Sequence, residues 1–108
     1  SGHHTIDSCF TSQFEQHFRS ILNLPLGSTK SKCAAVMGNI LGDANYTGAV
    51  KYAGVLNVLA KPGVKFHIYG KKTTKPFRKM GHFTVLAETI NEAKTLAIQV
   101  NKELKVIA

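Results

Sequence analysis

The sequence predicts an α+β domain, a small, mostly antiparallel sheet with flanking helices. Three observations carry the prediction. Residues 64–69 and 82–87 alternate apolar and polar side chains with a period of two, the pattern of half-buried strands. Residues 12–22 and 89–104 repeat apolar residues at three- and four-residue spacing, each behind a hydroxyl residue placed to cap a helix. The 108 residues, 44% of them hydrophobic, suit one domain in which strands and helices share a core.

Taken in order, residues 3–10 (HHTIDSCF) carry Thr, Ile, Cys and Phe and read as a short strand. Ser12 and Glu15 then form an S-x-x-E capping box. Phe14, Phe18, Ile21 and Leu22 follow as one apolar stripe, expected to be core, with Gln13, Gln16, Arg19 and Ser20 turned outward. His17 reads as a boundary residue of that helix. Pro25 is expected to end the helix, because it lacks an N–H and clashes with the preceding turn. Residues 27–33 are a polar loop. AAVMGNIL, 34–41, reads as a buried strand closed by Gly42, and residues 43–48 carry turn chemistry.

Residues 49–60 predict a helix with Tyr52, Leu56 and Leu59 on one side, weakened by Gly54 and stopped by Pro62-Gly63. In the strand 64–69, Val64, Phe66 and Ile68 face one way and Lys65, His67 and Tyr69 the other. Phe83, Val85 and Ala87 share one face of the strand 82–87, so the two strands predict a long hairpin. Thr89 and Glu92 form a second capping box ahead of the stripe Ala93, Leu96, Ala97, Val100 and Leu104.

Composition excludes several classes. No apolar run approaches the roughly 20 residues that span a bilayer. The first residues lack the basic start and apolar core of a secretory signal, so the chain reads as cytoplasmic with no membrane partner. Cys9 and Cys33 are too few for a disulfide-built domain and read as reduced thiols. Their spacing, and that of His3 and His4, fits no common metal pattern, so no metal site is expected.

The formal charge is +8, from 14 Lys and Arg against 6 Asp and Glu. Five of the cations, Lys71, Lys72, Lys75, Arg78 and Lys79, fall within nine residues that contain no acid. Without them the balance is an ordinary 9 against 6, so the excess is one local feature. It sits in the hairpin connection, longer than the usual two to five residues, and Gly70 and Gly81 flank it as candidate sharp exits. Lysine offers a mobile point charge to a phosphate oxygen; arginine adds a planar fork. Pro76 lowers the cost of aiming Arg78. On chemistry alone the segment is a solvated basic loop, a nucleic-acid contact or a site for a phosphorylated small molecule. Against nucleic acid, Phe77 is its only aromatic residue, where such binders use several for stacking.

Three stretches, in order, resemble one family: SGHHTIDSCFTSQFEQHFRSILNLPLG (Ser1–Gly27), AAVMGNILGD (Ala34–Asp43) and YGKKTTKPFRKMGHF (Tyr69–Phe83). The family is 5-(carboxyamino)imidazole ribonucleotide synthase, the ATPase subunit of phosphoribosylaminoimidazole carboxylase, in the ATP-grasp superfamily. Its pattern runs N-S-G-H-x-T, T-S-Q-F-E-x-H-x-R, A-V-M-x-N-x-L-G, then Y-G-K and R-P-x-R-K-x-G-H. The resemblance implies the C-terminal part of an ATP-grasp enzyme, one domain over 1–108 whose residues 1–26 continue from an ATP-grasp domain upstream. It implies a purine-biosynthetic ligase that joins bicarbonate to 5-aminoimidazole ribonucleotide and works as a homodimer. ATP and magnesium are then held mainly upstream, with neither expected on this segment alone, and no catalytic residue is assigned here. By position, Lys71 and Arg78 carry over as ligands of the ribonucleotide 5′-phosphate, and His3, Lys79 and His82 as supporting residues. Two departures stand out in the R-P-G-R run, which is here Lys75-Pro76-Phe77-Arg78. Lys75 keeps the charge without the fork, and Phe77 occupies a position that is often small.

Overall fold

The structure, a computed structural model, describes residues 1–108. Its centre is a three-stranded antiparallel sheet in the order β1-β6-β4, with β1 at Ala34–Leu41, β4 at Val64–Ile68 and β6 at Lys79–Ala87. The expected α+β class, antiparallel sheet and long hairpin are all present. β4 and β6 pair directly, with Val64 opposite Val85, Phe66 opposite Phe83 and His67 opposite His82. Helix α4, Ile90–Glu103, lies across one face of β1 and β6 and buries Ala93, Ala97 and Val100 against Phe83 and Val85. Its start is the predicted cap, where Thr89 Oγ1 accepts the Glu92 N–H at 3.2 Å.

Alternation sorts the sheet residues into two environments. Val64, Phe66, Phe83 and Val85 join the apolar core under α4. His67, His82 and Thr84 stand on the other face, where the short helix α1, Thr5–Ser8, packs against β6. Ile40 pairs with Gly81 but Leu41 pairs with Lys79, so Met80 is the extra residue of a β-bulge. The bulge re-aims Met80 into the core instead of beside His82.

Elsewhere the structure departs from expectation. Residues 3–10 hold no strand: Thr5–Ser8 is one helical turn, and only Cys9 makes a bridge, to Ser31. Local side chains favour the turn, with the Thr5 hydroxyl donating to the Gly2 carbonyl and Ser8 to that of His4. The predicted helix at 49–60 is instead β2 (Gly48–Ala49), β3 (Lys51–Ala53) and the five-residue α3 (Val55–Leu59). Gly54, at φ 82°, breaks it, and β3 is drawn into pairing with β7, Lys105–Ile107, which the sequence did not announce. Tyr52 therefore lies opposite Val106 in a strand pair, and Leu56 and Leu59 are exposed, leaving Val58 as the buried residue of α3.

The helix after Ser12 is present as α2, Gln13–Ile21, and Ser12 Oγ accepts the Glu15 N–H at 3.1 Å. It ends before Pro25 acts. Asn23 takes φ 57°, and the Asn23 and Leu24 N–H groups donate back to the carbonyls of Ser20 and Arg19, a Schellman closure. The Phe14, Phe18, Ile21, Leu22 stripe is not core. All four residues are exposed, Phe18 by 61% and Leu22 by 63%. No helix is long and apolar enough to cross a membrane.

Candidate functional site

The basic loop is strung between the ends of β4 and β6. Gly70 turns the chain out at φ 79°. Gly81 is not an exit as expected. It lies inside β6, where a Cβ would collide with the His67 carbonyl, so its small size brings the two strands together. Midway, β5 (Thr73–Thr74) pairs with β2 and pins the loop to the body. The far end is a tight turn over Lys75-Pro76-Phe77-Arg78, closed by the Arg78 N–H donating to the Lys75 carbonyl at 3.1 Å. Proline at its second position and positive φ at its third are the requirements of a type II turn. Phe77 meets the second requirement at φ 61°. The Phe77 N–H donates to the Gly42 carbonyl and the Gly42 N–H to that of Arg78, which ties the turn to the end of β1.

This frame orients the two leading cations. Lys71 Nζ donates to the Lys79 carbonyl at 2.6 Å, crossing the mouth of the loop. Arg78 Nη1 donates to the Thr73 carbonyl at 2.9 Å and to Thr73 Oγ1 at 3.1 Å. Each keeps donors in hand: two of three N–H on Lys71, and the Nε and Nη2 groups of Arg78. None of the five loop cations has a carboxylate partner; the ion pairs are Arg19–Glu15, Lys61–Glu103 and His67–Asp7. Lys79 is exposed at the start of β6.

Beneath the loop lies a cluster that sequence reasoning caught only in part. His82 is 1% exposed. Its ring stacks on His67 with centroids 4.5 Å apart and planes 15° from parallel, and His3 meets it edge-on at 5.2 Å. His82 Nδ1 is in hydrogen-bond contact with the Tyr69 hydroxyl at 3.0 Å. His67 Nε2 donates to Asp7 Oδ2 at 2.7 Å. Burial, first, and then the facing charges of His67 and His3 push the His82 pKa below the ordinary histidine value; Lys79 adds to this and Asp7 opposes it. Charge on His82 is thus disfavoured, while the Asp7 carboxylate lies beside His67.

The candidate residues therefore fall into two layers. Lys71, Arg78 and Lys79 belong to the loop, and His82 and His3 meet on the sheet face below it. Asp7, His67 and Tyr69 were missed as partners. The signal was present in the alternation of both strands, which puts His67 and His82 on one face once they are paired. No three His, Cys, Asp or Glu side chains converge as a metal-holding group.

Fold and site define an α+β domain that carries a constrained hairpin loop of five cations without carboxylate partners. The model of the family described as phosphoribosylaminoimidazole carboxylase C-terminal domain matches residues 35–96, more than half of the chain. The chain belongs to that family. The N5-carboxyaminoimidazole ribonucleotide synthase of Synechococcus elongatus is 42% identical over 108 residues, covering 93% of this chain and 27% of its own length. The crystal structure of N5-carboxyaminoimidazole ribonucleotide synthetase from Thermotoga maritima is 51% identical, with a TM-score of 0.96 over all of this chain and 30% of that one. The Aspergillus clavatus N5-carboxyaminoimidazole synthase, solved with ADP and 5-aminoimidazole ribonucleotide, is 37% identical, with a TM-score of 0.79 over 94% of this chain and 27% of its own. The chain thus spans less than a third of the length of these relatives.

Proposed function

We propose that this chain supplies the ribonucleotide-phosphate end of an ATP-dependent carbon–nitrogen ligase of purine biosynthesis. That ligase carboxylates 5-aminoimidazole ribonucleotide with bicarbonate to give 5-(carboxyamino)imidazole ribonucleotide. One observation carries the reading: the Tyr69–Lys79 loop holds Lys71 and Arg78 in fixed hydrogen bonds yet leaves each with unused donors. Arg78 offers a fork to two phosphate oxygens and Lys71 a point charge to a third. The phosphate does not react. Anchoring it orients the distant aminoimidazole amine, so binding energy at one end of the substrate fixes geometry at the other.

The nucleotide site is assigned to the part of the relatives that lies outside this chain, and residues 1–26 to the continuation of that part. The exposed stripe of α2 fits this, because an apolar face of that size on a segment of a longer enzyme marks the seam with the rest. The acidic residues here do not converge and do not fit a magnesium site, so no step is assigned to the metal on this chain. The whole enzyme is read as a cytoplasmic homodimer.

The test joins this segment to the upstream portion of the Thermotoga maritima enzyme. ATP hydrolysis stimulated by the ribonucleotide is expected in the joined enzyme, and none from the 108-residue chain alone. A charge-assisted hydrogen bond is worth about 1.5–3 kcal/mol, so Lys71→Ala and Arg78→Ala are each expected to raise the ribonucleotide KM about 10- to 100-fold. The KM for ATP is expected to change far less. Ribonucleotide kinetics unaltered in both variants would remove the phosphate assignment.

A further inference from the structure

Asp7, His67, His82 and Tyr69 form a continuous chain of contacts from α1, across two strands, to the first residue of the loop. Every link is direct. The Asp7 carboxylate accepts from His67 at 2.7 Å. His67 and His82 are cross-strand partners with stacked rings. His82 Nδ1 meets the Tyr69 hydroxyl at 3.0 Å. Tyr69 is also held by its backbone N–H, which donates to the Met80 carbonyl at 3.0 Å, so main chain and side chain together tie the entry of the loop to its exit. His82 Nε2 is buried without a partner, so packing and the Tyr69 contact fix that ring instead of solvent.

We propose that Asp7, His67, His82 and Tyr69 are a positioning array that sets the shape of the Tyr69–Lys79 loop and ties it to the N-terminal helix. The proposal deepens the phosphate reading above and rests on it. These residues act through the loop and do not touch the anion. The array has a chemical requirement: one imidazole in the stack must stay neutral, since two imidazolium rings face to face repel. The groups facing the stack are suited to that. Asp7 on α1 faces His67 and accepts its hydrogen bond. Burial first, then His67 on β4, His3 from the N-terminal turn and Lys79 on β6 oppose charge on His82, and only Asp7 favours it. Tyr69 completes the set from the loop.

The experiment compares Asp7→Asn, Tyr69→Phe and the double variant in the joined enzyme described above, beside Lys71→Ala. Asp7 makes no hydrogen bond to the loop, so an effect of Asp7→Asn on ribonucleotide binding must travel through the stack. Each single variant is expected to raise the ribonucleotide KM about three- to tenfold, the loss of one neutral or weakly charged hydrogen bond, with kcat and the ATP KM changing less. The double variant is expected to match the worse single variant, because both changes break the same chain. In nuclear magnetic resonance spectra of the 108-residue chain, Asp7→Asn is expected to shift the amide signals of residues 70–78. A wild-type ribonucleotide KM and unshifted loop signals in Asp7→Asn, with Lys71→Ala impaired, overturn the array and leave the phosphate reading standing. Multiplied single effects in the double variant also overturn it. Unimpaired Lys71→Ala and Arg78→Ala with shifted loop signals in Asp7→Asn overturn the phosphate reading and leave the array as a structural coupling.

Discussion

Phe77 holds a left-handed backbone at φ 61° while its ring is 71% exposed, so it carries strain and returns little burial. For an L-residue that conformation costs roughly 1–2 kcal/mol. Glycine adopts it freely but loses more entropy on folding, about 0.5–1 kcal/mol. Phe77→Gly is therefore expected to stabilise the chain by about 0.5–1 kcal/mol, a rise of a few degrees in melting temperature readable by circular dichroism. His82 gives a second expectation. Its folded pKa lies below the unfolded value of about 6.5, so the unfolded chain binds the proton more readily. The stability that neutral His82 contributes is complete above pH of about 6.5 and is lost as pH falls toward the lowered folded value. Denaturant midpoints are expected to fall on acidification through that window, and more shallowly in His82→Phe. A slope unchanged by that substitution would assign the acid sensitivity elsewhere.

The elements differ in how firmly they are held. β6 is flanked by strands on both sides and covered on both faces, whereas α2 exposes its apolar stripe and packs on little beyond α1. Local opening should follow that difference. In hydrogen exchange on the 108-residue chain, α2 amides are expected to exchange at least about a hundredfold faster than those of β6. Equal protection would mean that α2 is stabilised by contacts other than those described. The same contrast explains what the sequence made legible. β4, β6, α4 and the cap of α2 follow from periodicity and capping, which are local signals. β3 and β7 depend on a pairing between residues 51–53 and 105–107, and a three-residue strand is too short for its own period to show. The strand expected at 3–10 failed for a related reason, since a single turn held by the Thr5 and Ser8 hydroxyls carries no periodicity. The stripe of α2 was read correctly as amphipathic and wrongly as core, because a pattern reveals a face that needs cover without revealing what covers it. At the site, Lys71 and Arg78 were legible as charges in a constrained loop. The Asp7–His67 link joins residues sixty positions apart and became visible only with the packing of α1 on the sheet.

As a whole the molecule is a thin slab. It measures 47 × 31 × 19 Å, and its radius of gyration of 15.5 Å exceeds the roughly 13 Å of a compact chain of this length. Only 18 of 108 residues are buried, and the core cluster holds ten, all of them after residue 33. Residues 1–33 therefore contribute nothing to the core cluster, and the fold is centred on the sheet and α4. The basic loop lies between β4 and β6, whereas the exposed stripe lies on α2, so charge and apolar surface are carried by different elements.

The Cys9–Ser31 bridge closes the stretch that carries α2 upon itself. The Phe10 N–H donates to the Lys30 carbonyl at 3.0 Å and the Lys32 N–H to the Ser8 carbonyl at 2.6 Å, so the excursion that carries α2 leaves and returns at one point. Asp7 lies just before that point and β1 begins just after it. The excursion is in effect a cassette closed at its neck. It is not isolated, however: Phe14 of its apolar face meets the His3 ring edge-on at 5.3 Å, and His3 meets His82 at 5.2 Å, so the stripe reaches the imidazoles through one ring. A change in how that face is covered therefore has a short path, Phe14 to His3 to His82, into the residues that hold the loop.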